Sequence, residues 1–116
     1  MSKIGKLWIC GREFLVLQSN RRDPRCPSAV GPQHAGTISN GERVIWIDEE
    51  VKNEARIREI LCHEIFHGVG CFQGEKCADE DYTLAAETLY ATLVDNKLIP
   101  PLDLTFLRDE KEGEQL

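Results

Sequence analysis

The sequence of 116 residues lacks any long hydrophobic run, and nothing in it approaches the roughly 18 apolar residues of a membrane-spanning helix. Only four apolar residues separate Lys6 from Gly11, which is too short for the core of a signal peptide. We therefore expect a cytoplasmic protein with no membrane partner. A chain of this length makes one domain. We predict a single domain over residues 1–107, followed by a charged, disordered tail over residues 108–116.

Basic residues are scarce in the second half of the chain, where residues 59–116 contain 4 Lys and Arg against 13 Asp and Glu. The whole chain carries a net charge of −6. Proteins that bind nucleic acids usually present a basic face, so we expect no nucleic-acid partner. The one basic cluster, at residues 21–25, is interrupted by prolines and is typical of a loop.

The chain contains five cysteines, and this odd number without an export signal favours reduced thiols over disulfides. Cys71 and Cys77 are the closest pair, yet their spacing is wider than that of a zinc knuckle. We therefore expect buried or incidental thiols and place any metal site elsewhere.

Four predicted strands precede two predicted helices along the chain. The strands form two hairpins, over residues 6–17 and around the turn signal Asn40-Gly41, and the second hairpin pairs 35–39 with Arg43–Asp48. The helices run from Val51 to the glycines Gly68 and Gly70, and from about Asp79 to Lys97. Strands in one run and helices in another indicate an α+β fold. We predict a small antiparallel sheet of about four strands packed against two helices.

The segment His63-Glu64-Ile65-Phe66-His67 contains a His-Glu-x-x-His pattern within the first predicted helix. Residues four apart lie on one face of a helix, so both imidazoles can bind one divalent cation, and we predict Zn²⁺. Glu64 follows the first histidine directly and is placed to act as a general base on a water held at that cation. The pattern therefore predicts a hydrolytic metal centre.

A catalytic zinc ion takes three protein ligands and keeps one position open. The acidic residues Glu80, Glu87 and Asp79 of the second helix are the candidates for the third ligand. We favour Glu80, because it lies at the start of that helix, near the expected metal, and Glu87 and Asp79 stay as alternatives. The candidates for stabilising a reaction oxyanion are Tyr82, Tyr90 and His34.

The segment His63–His67 resembles the zincin metallopeptidase signature, and residues 36–97 are similar to the compact ImmA/IrrE-type metallopeptidases of bacteria and phages. The stretch Leu-Ala-Ala-Glu-Thr-Leu at residues 84–89 resembles a run in the second helix of those proteins. The resemblance implies a zincin-like fold, with zinc bound by two histidines and Glu80, and with Glu64 as the catalytic base. The thermolysin-like spacing of twenty residues after His67 instead implies Glu87 as the third ligand.

These features lead us to expect a zinc-dependent metallopeptidase that hydrolyses a protein or peptide substrate. In zincins, an edge strand beside the metal pairs with the substrate, and the segment Arg43–Asp48 is our candidate for that strand. The alternative is a non-catalytic binding module or phage accessory protein, with a structural zinc whose last position is closed by His34 or Cys71. The sequence identifies neither the substrate nor the oligomeric state.

Overall fold

The first half of the chain contains two hairpins, each with a short turn between its strands. The computed structural model describes residues 2–27, 34–73 and 80–110. Its elements are β1 (Lys3–Ile9), β2 (Arg12–Ser19), β3 (Gly36–Ser39), β4 (Val44–Asp48), α1 (Glu54–Gln73), α2 (Glu80–Asp95) and β5 (Arg108–Asp109). Cys10 and Gly11, with φ of 51° and 80°, form the tight turn between β1 and β2. The second predicted hairpin also forms, between β3 and β4.

The strands lie in the order β3-β4-β2-β1-β5. Neighbouring strands are antiparallel except β2 and β4, which are parallel, with Leu15 opposite Val44. The parallel pair arises because β3 takes the outer position and β4 then returns between β3 and β2. The α+β class is confirmed, but the sheet is mixed, and five of its strands lie in the described residues. The predicted antiparallel sheet of about four strands is matched in part, since three of the four strand pairings are antiparallel. The parallel pairing was missed because a hydrophobic pattern identifies strands without specifying which of them pair, and β5, of two residues, is too short to give such a pattern.

Helix α1 packs one face on the sheet. It begins after Asn53, whose side-chain Oδ1 accepts a hydrogen bond from the backbone N–H of Arg56 at 3.1 Å, as an N-cap does. The core under this helix consists of buried side chains from β1, β2, β4, α1 and the segment before β5: Ile9, Phe14, Val16, Ile45, Ile47, Ile57, Ile60, Leu61 and Leu107. This packing holds the motif residues of α1 at a fixed place relative to the sheet.

Helix α1 continues to Gln73, past the end that we predicted at Gly68 and Gly70. A Cβ atom on Gly68 would lie 2.9 Å from the Cδ1 atoms of both Ile9 and Ile38, which is closer than real contacts of this kind. Gly68 therefore allows α1 to approach β1 and β3 and does not end the helix. A glycine inside a helical pattern can reflect close packing as well as termination.

The chain after α2 returns to the sheet as β5, which pairs with the start of β1. Beside it, Arg25 donates hydrogen bonds to Glu110 at 2.6 and 2.8 Å and to Asp23 at 2.9 Å. The Arg25 guanidinium holds the pKa of both carboxyls below their usual values. These contacts correct the tail predicted from residue 108, since residues 108–110 belong to the folded part and residues 111–116 lie outside the described chain.

Helix α2 agrees with the second predicted helix, although the predicted start at Asp79 lies outside the described residues. Thr83 is the one buried residue of α2. Neither helix in the described part of the chain combines the length and the hydropathy that crossing a membrane requires.

Candidate metal centre

A cleft of about 620 Å³ opens between α1, the start of α2 and β3. Both histidines of the motif line it, together with Glu64, Glu80 and Glu87. The two helices thus bring these polar side chains to one place beside β3.

His63 and His67 lie one turn apart on the face of α1 that borders the cleft. Their ring centroids are 4.7 Å apart, and the ring planes meet at 81°. The two side chains are 23% and 20% exposed, so packing holds each ring while leaving it accessible from the cleft. The structure therefore brings the two imidazoles together, as their spacing of four residues predicts.

Glu80 reaches both imidazoles from the first turn of α2. Its Oε1 atom lies 3.1 Å from Nε2 of His63, and its Oε2 atom lies 3.1 Å from Nε2 of His67. The three side chains offer ligand atoms within 4.8 Å of one another, a spacing that suits one metal ion. Among the described residues, no other histidine, cysteine, aspartate or glutamate joins this group.

Glu87 and Asp79, the other predicted candidates for the third ligand, are placed differently. Glu87 Oε2 lies 2.8 Å from Nδ1 of His63, on the opposite side of the ring from Glu80. It therefore contacts the nitrogen that faces away from the shared group. Asp79 lies outside the described residues. Glu80 therefore faces both histidines, whereas Glu87 contacts one of them from outside the group. The spacing of the two glutamates along the helix could not make this distinction.

Thr83 contacts the Nδ1 atom of His67, as Glu87 contacts the Nδ1 atom of His63. Its Oγ1 atom lies 3.1 Å from Nδ1 of His67, and its side chain is fully buried. The sequence analysis did not identify Thr83. The available signal was the spacing of Glu80, Thr83 and Glu87, which are three and four residues apart and so share one face of α2.

The environment of the site shifts the pKa of two of its groups. Glu64 is 8% exposed, and burial raises the pKa of its carboxyl, although the nearby imidazoles of His63 and His67 oppose the shift. Burial alone would lower the pKa of His63, but the hydrogen bond to Glu87 and the nearby carboxylates outweigh it, and the net shift is upward. A carboxyl with a raised pKa binds a proton more readily at neutral pH than an exposed glutamate does.

Glu64 extends from α1 towards β3. Its Oε2 atom lies 3.9 Å from the position that a Cβ atom on Gly36 would occupy. Such a Cβ would also collide with the side chain of Ile60 and lie 3.1 Å from the backbone oxygen of Trp46. Glycine at position 36 thus permits the close approach of β3 to α1 and to the Glu64 carboxylate.

The strand beside the cleft is β3, not the predicted segment Arg43–Asp48. That segment contains β4, which is paired on both sides, with β2 and with β3. In the described chain, β3 is the edge strand on the side of the sheet opposite β5, and Gly36 and Ile38 line the cleft. The Asp48 N–H donates a hydrogen bond to the Ala35 oxygen at 2.8 Å, so the backbone groups of Ala35 face β4. Along an antiparallel strand, the residues that bond to a given neighbour alternate with residues that do not. The backbone N–H and C=O groups of Gly36 and Ile38 therefore point away from β4.

The remaining predicted site residues lie at different places. His34 and Cys71 are exposed and line the cleft, but neither belongs to the converging group described above. The backbone oxygen of His34 accepts a hydrogen bond from Arg21 at 2.6 Å, which fixes the chain at the start of β3. Tyr90 does not line the cleft, and its hydroxyl accepts a hydrogen bond from Leu102 N–H at 2.8 Å, which is a structural role. Tyr82 is 38% exposed and also lies outside the cleft lining.

In comparisons with known proteins, the chain matches no protein-family model, no curated protein and no solved structure.

Proposed function

We propose that this protein is a zinc-dependent peptide hydrolase with a zincin-like active site, in which His63, His67 and Glu80 bind the metal and Glu64 is the general base. One observation carries the proposal. The two oxygens of Glu80 each face an Nε2 atom of a different histidine, at 3.1 Å, beside the buried carboxyl of Glu64.

The three side chains fit a zinc ion in their chemistry and their spacing. Imidazole nitrogen and carboxylate oxygen bind zinc at about 2.0–2.2 Å, so two ligand atoms of a tetrahedral ion lie roughly 3.3 Å apart. Each Nε2 atom lies 3.1 Å from a different oxygen of Glu80, near that value. With one ligand atom taken from each residue, the three atoms lie within 4.8 Å of one another, so small side-chain movements would bring them to one ion. Two imidazoles and one carboxylate also leave the fourth position free for a reactant, as in catalytic zinc sites.

The bound zinc would supply a Lewis acid that lowers the pKa of a water molecule and polarises a substrate carbonyl. In the proposed reaction, Glu64 takes a proton from the attacking water and then gives it to the leaving nitrogen of the peptide. The position of Glu64 favours this role, since its carboxyl is buried beside His63 and His67 and lines the same cleft.

We propose β3 as the strand that pairs with the substrate. Its outward backbone groups at Gly36 and Ile38 border the same cleft as Glu64 and the two histidines. An extended peptide can add to such an edge through main-chain hydrogen bonds. A peptide bound there would pass in front of the metal ligands, which makes a protein or peptide the favoured substrate.

The proposal is tested with the variant Glu64→Gln and a mixed peptide library in the presence of Zn²⁺. We expect zinc binding to persist, because Glu64 is not a ligand, and cleavage to fall by about 100- to 10,000-fold, the usual contribution of a general base. Glu59→Gln is the matched control, because Glu59 lies on the same helix and lines the same cleft.

Cleavage that is equal in Glu64→Gln and the wild-type protein would contradict the assignment of the base. Bound zinc without cleavage of any library peptide by the wild-type protein would instead favour the structural-zinc alternative. In that case Glu64→Gln would leave both metal binding and folding unchanged.

A further inference from the structure

The two histidines are each contacted at both ring nitrogens from the same helix. The Nε2 atoms face Glu80, and the Nδ1 atoms face Glu87 and Thr83, at 2.8 and 3.1 Å. All three partners belong to α2. A single face of α2 therefore contacts both nitrogens of both imidazoles, although both rings belong to α1.

We propose that Glu87 and Thr83 are positioning residues, which bind the Nδ1 atoms of His63 and His67 and thereby direct both Nε2 atoms to the point where Glu80 completes the metal site. This inference rests on the proposed metal site and adds to it two residues that are not ligands. It concerns the orientation and the tautomer of each ring.

Hydrogen-bond chemistry supports the assignment. A neutral imidazole that binds a metal through Nε2 carries its proton on Nδ1 and needs an acceptor there. The Glu87 carboxylate accepts only, so it selects this tautomer of His63. The Thr83 hydroxyl can accept from the Nδ1–H of His67 while donating its own proton elsewhere.

Burial distinguishes these two contacts from incidental surface pairs. Thr83 is fully buried in a helix whose other residues are exposed or only partly buried. The side chain of Glu87 is 24% exposed, against 59% for Glu80. Glu87 and Thr83 are thus more buried than Glu80, the proposed ligand from the same helix. This is expected of groups that fix the direction of a ring.

The experiment measures zinc affinity by competition with a chelator in the full-length protein, without any substrate. Removing an outer partner of a metal-binding histidine typically costs 10- to 100-fold in metal affinity. We expect a loss of about that size in Glu87→Ala and in Thr83→Val. Recovery towards wild-type affinity is expected in Glu87→Gln and Thr83→Ser, which keep an acceptor oxygen.

Two controls separate positioning from general effects. Glu59→Ala removes from the same cleft a negative charge that pairs with Arg56, and Thr88→Val removes an exposed hydroxyl from the same helix as Thr83. Both should bind zinc as the wild-type protein does. The visible spectrum of bound Co²⁺ adds a readout of ligand geometry, which should change in Glu87→Ala and return in Glu87→Gln. Circular dichroism identifies any variant that fails to fold. If an alanine or valine variant is unfolded, the zinc affinities of Glu87→Gln and Thr83→Ser decide the test.

Zinc affinity within about threefold of wild type in folded Glu87→Ala and Thr83→Val would overturn the inference, as this lies well below the usual loss. So would a loss that Glu87→Gln and Thr83→Ser do not reduce. These results are independent of peptide cleavage, so a failure of the proposed hydrolase activity leaves the positioning test intact. A wild-type protein that binds no zinc would overturn both.

Discussion

The two helices contribute to the same site but are held in different ways. Helix α1 buries Ile57, Ile60 and Leu61 in the core and meets the sheet closely at Gly68. Helix α2 buries only Thr83, while Leu84 and Leu89 are 48% and 61% exposed. The hydrophobic core therefore fixes the helix that carries both histidines, and polar contacts at the site make up much of what holds the helix that carries Glu80.

The largest difference between the helices should appear when one leucine is truncated in each. Leu61→Ala, at a side chain 1% exposed, should lower the free energy of unfolding by about 2–5 kcal/mol, because it removes buried contacts and leaves a cavity. Leu89→Ala, on the exposed side of α2, should change it by less than about 0.5 kcal/mol. Urea denaturation measures both. Equal losses in the two variants would show that α2 packs as firmly as α1.

The second-largest effect is expected from zinc binding, which should reduce the difference in local stability between the two helices. A free zinc concentration 100 times the dissociation constant adds about 2.7 kcal/mol to any state that holds the complete site. Amide hydrogen exchange in α2 should then slow by about 100-fold. Glu80→Ala should abolish the slowing in α2, because this helix then offers no ligand, whereas Glu59→Ala should retain it. Slowing that persists in Glu80→Ala would place the third ligand elsewhere.

A smaller effect than those of Leu61→Ala and of zinc is expected outside both helices, at the ion pairs of Arg25 with Asp23 and Glu110. The pKa values of both carboxyls are lowered in the folded state from the ordinary 3.8 and 4.5, so their contribution is present above those values. This contribution to stability is lost as the pH falls through the lowered pKa values that the two carboxyls have in the folded state. Because these groups are accessible to solvent, the contribution is at most about 1 kcal/mol.

Thermal unfolding of Arg25→Gln and the wild-type protein, followed from neutral pH into acid, tests this contribution. The melting temperatures should differ at neutral pH and converge at low pH. A difference that stays constant with pH would assign the effect of Arg25 to packing.

The sequence predicted the local elements well, because each depends on residues close together in the chain. The turn at Asn40-Gly41 and the helical spacing of His63 and His67 are signals of this kind. The pairing of β4 with β2 was missed, since it depends on where a distant strand lies. Gly68 was read as a helix end because its packing partners, Ile9 and Ile38, are remote in sequence.

The same limit applies to the site. The histidine pair and Glu64 lie within one turn and a half of a helix, so spacing alone placed them. The choice between Glu80 and Glu87 depends on how α2 lies against α1, and both residues share one face of α2. Thr83 offered no chemical signal of its own, since a threonine within a helix is common and becomes informative only when its burial and its partner are known.

The position of β4 between β2 and β3 affects how the molecule folds. The β1–β2 hairpin closes through a two-residue turn and can form early, whereas pairing β4 with β2 must close a much longer loop, which slows folding. Among the described residues, β3 pairs with β4 alone, so the β3–β4 hairpin joins the other strands through the pairing of β4 with β2. The strand that lines the cleft therefore depends on a contact between residues that are distant in sequence.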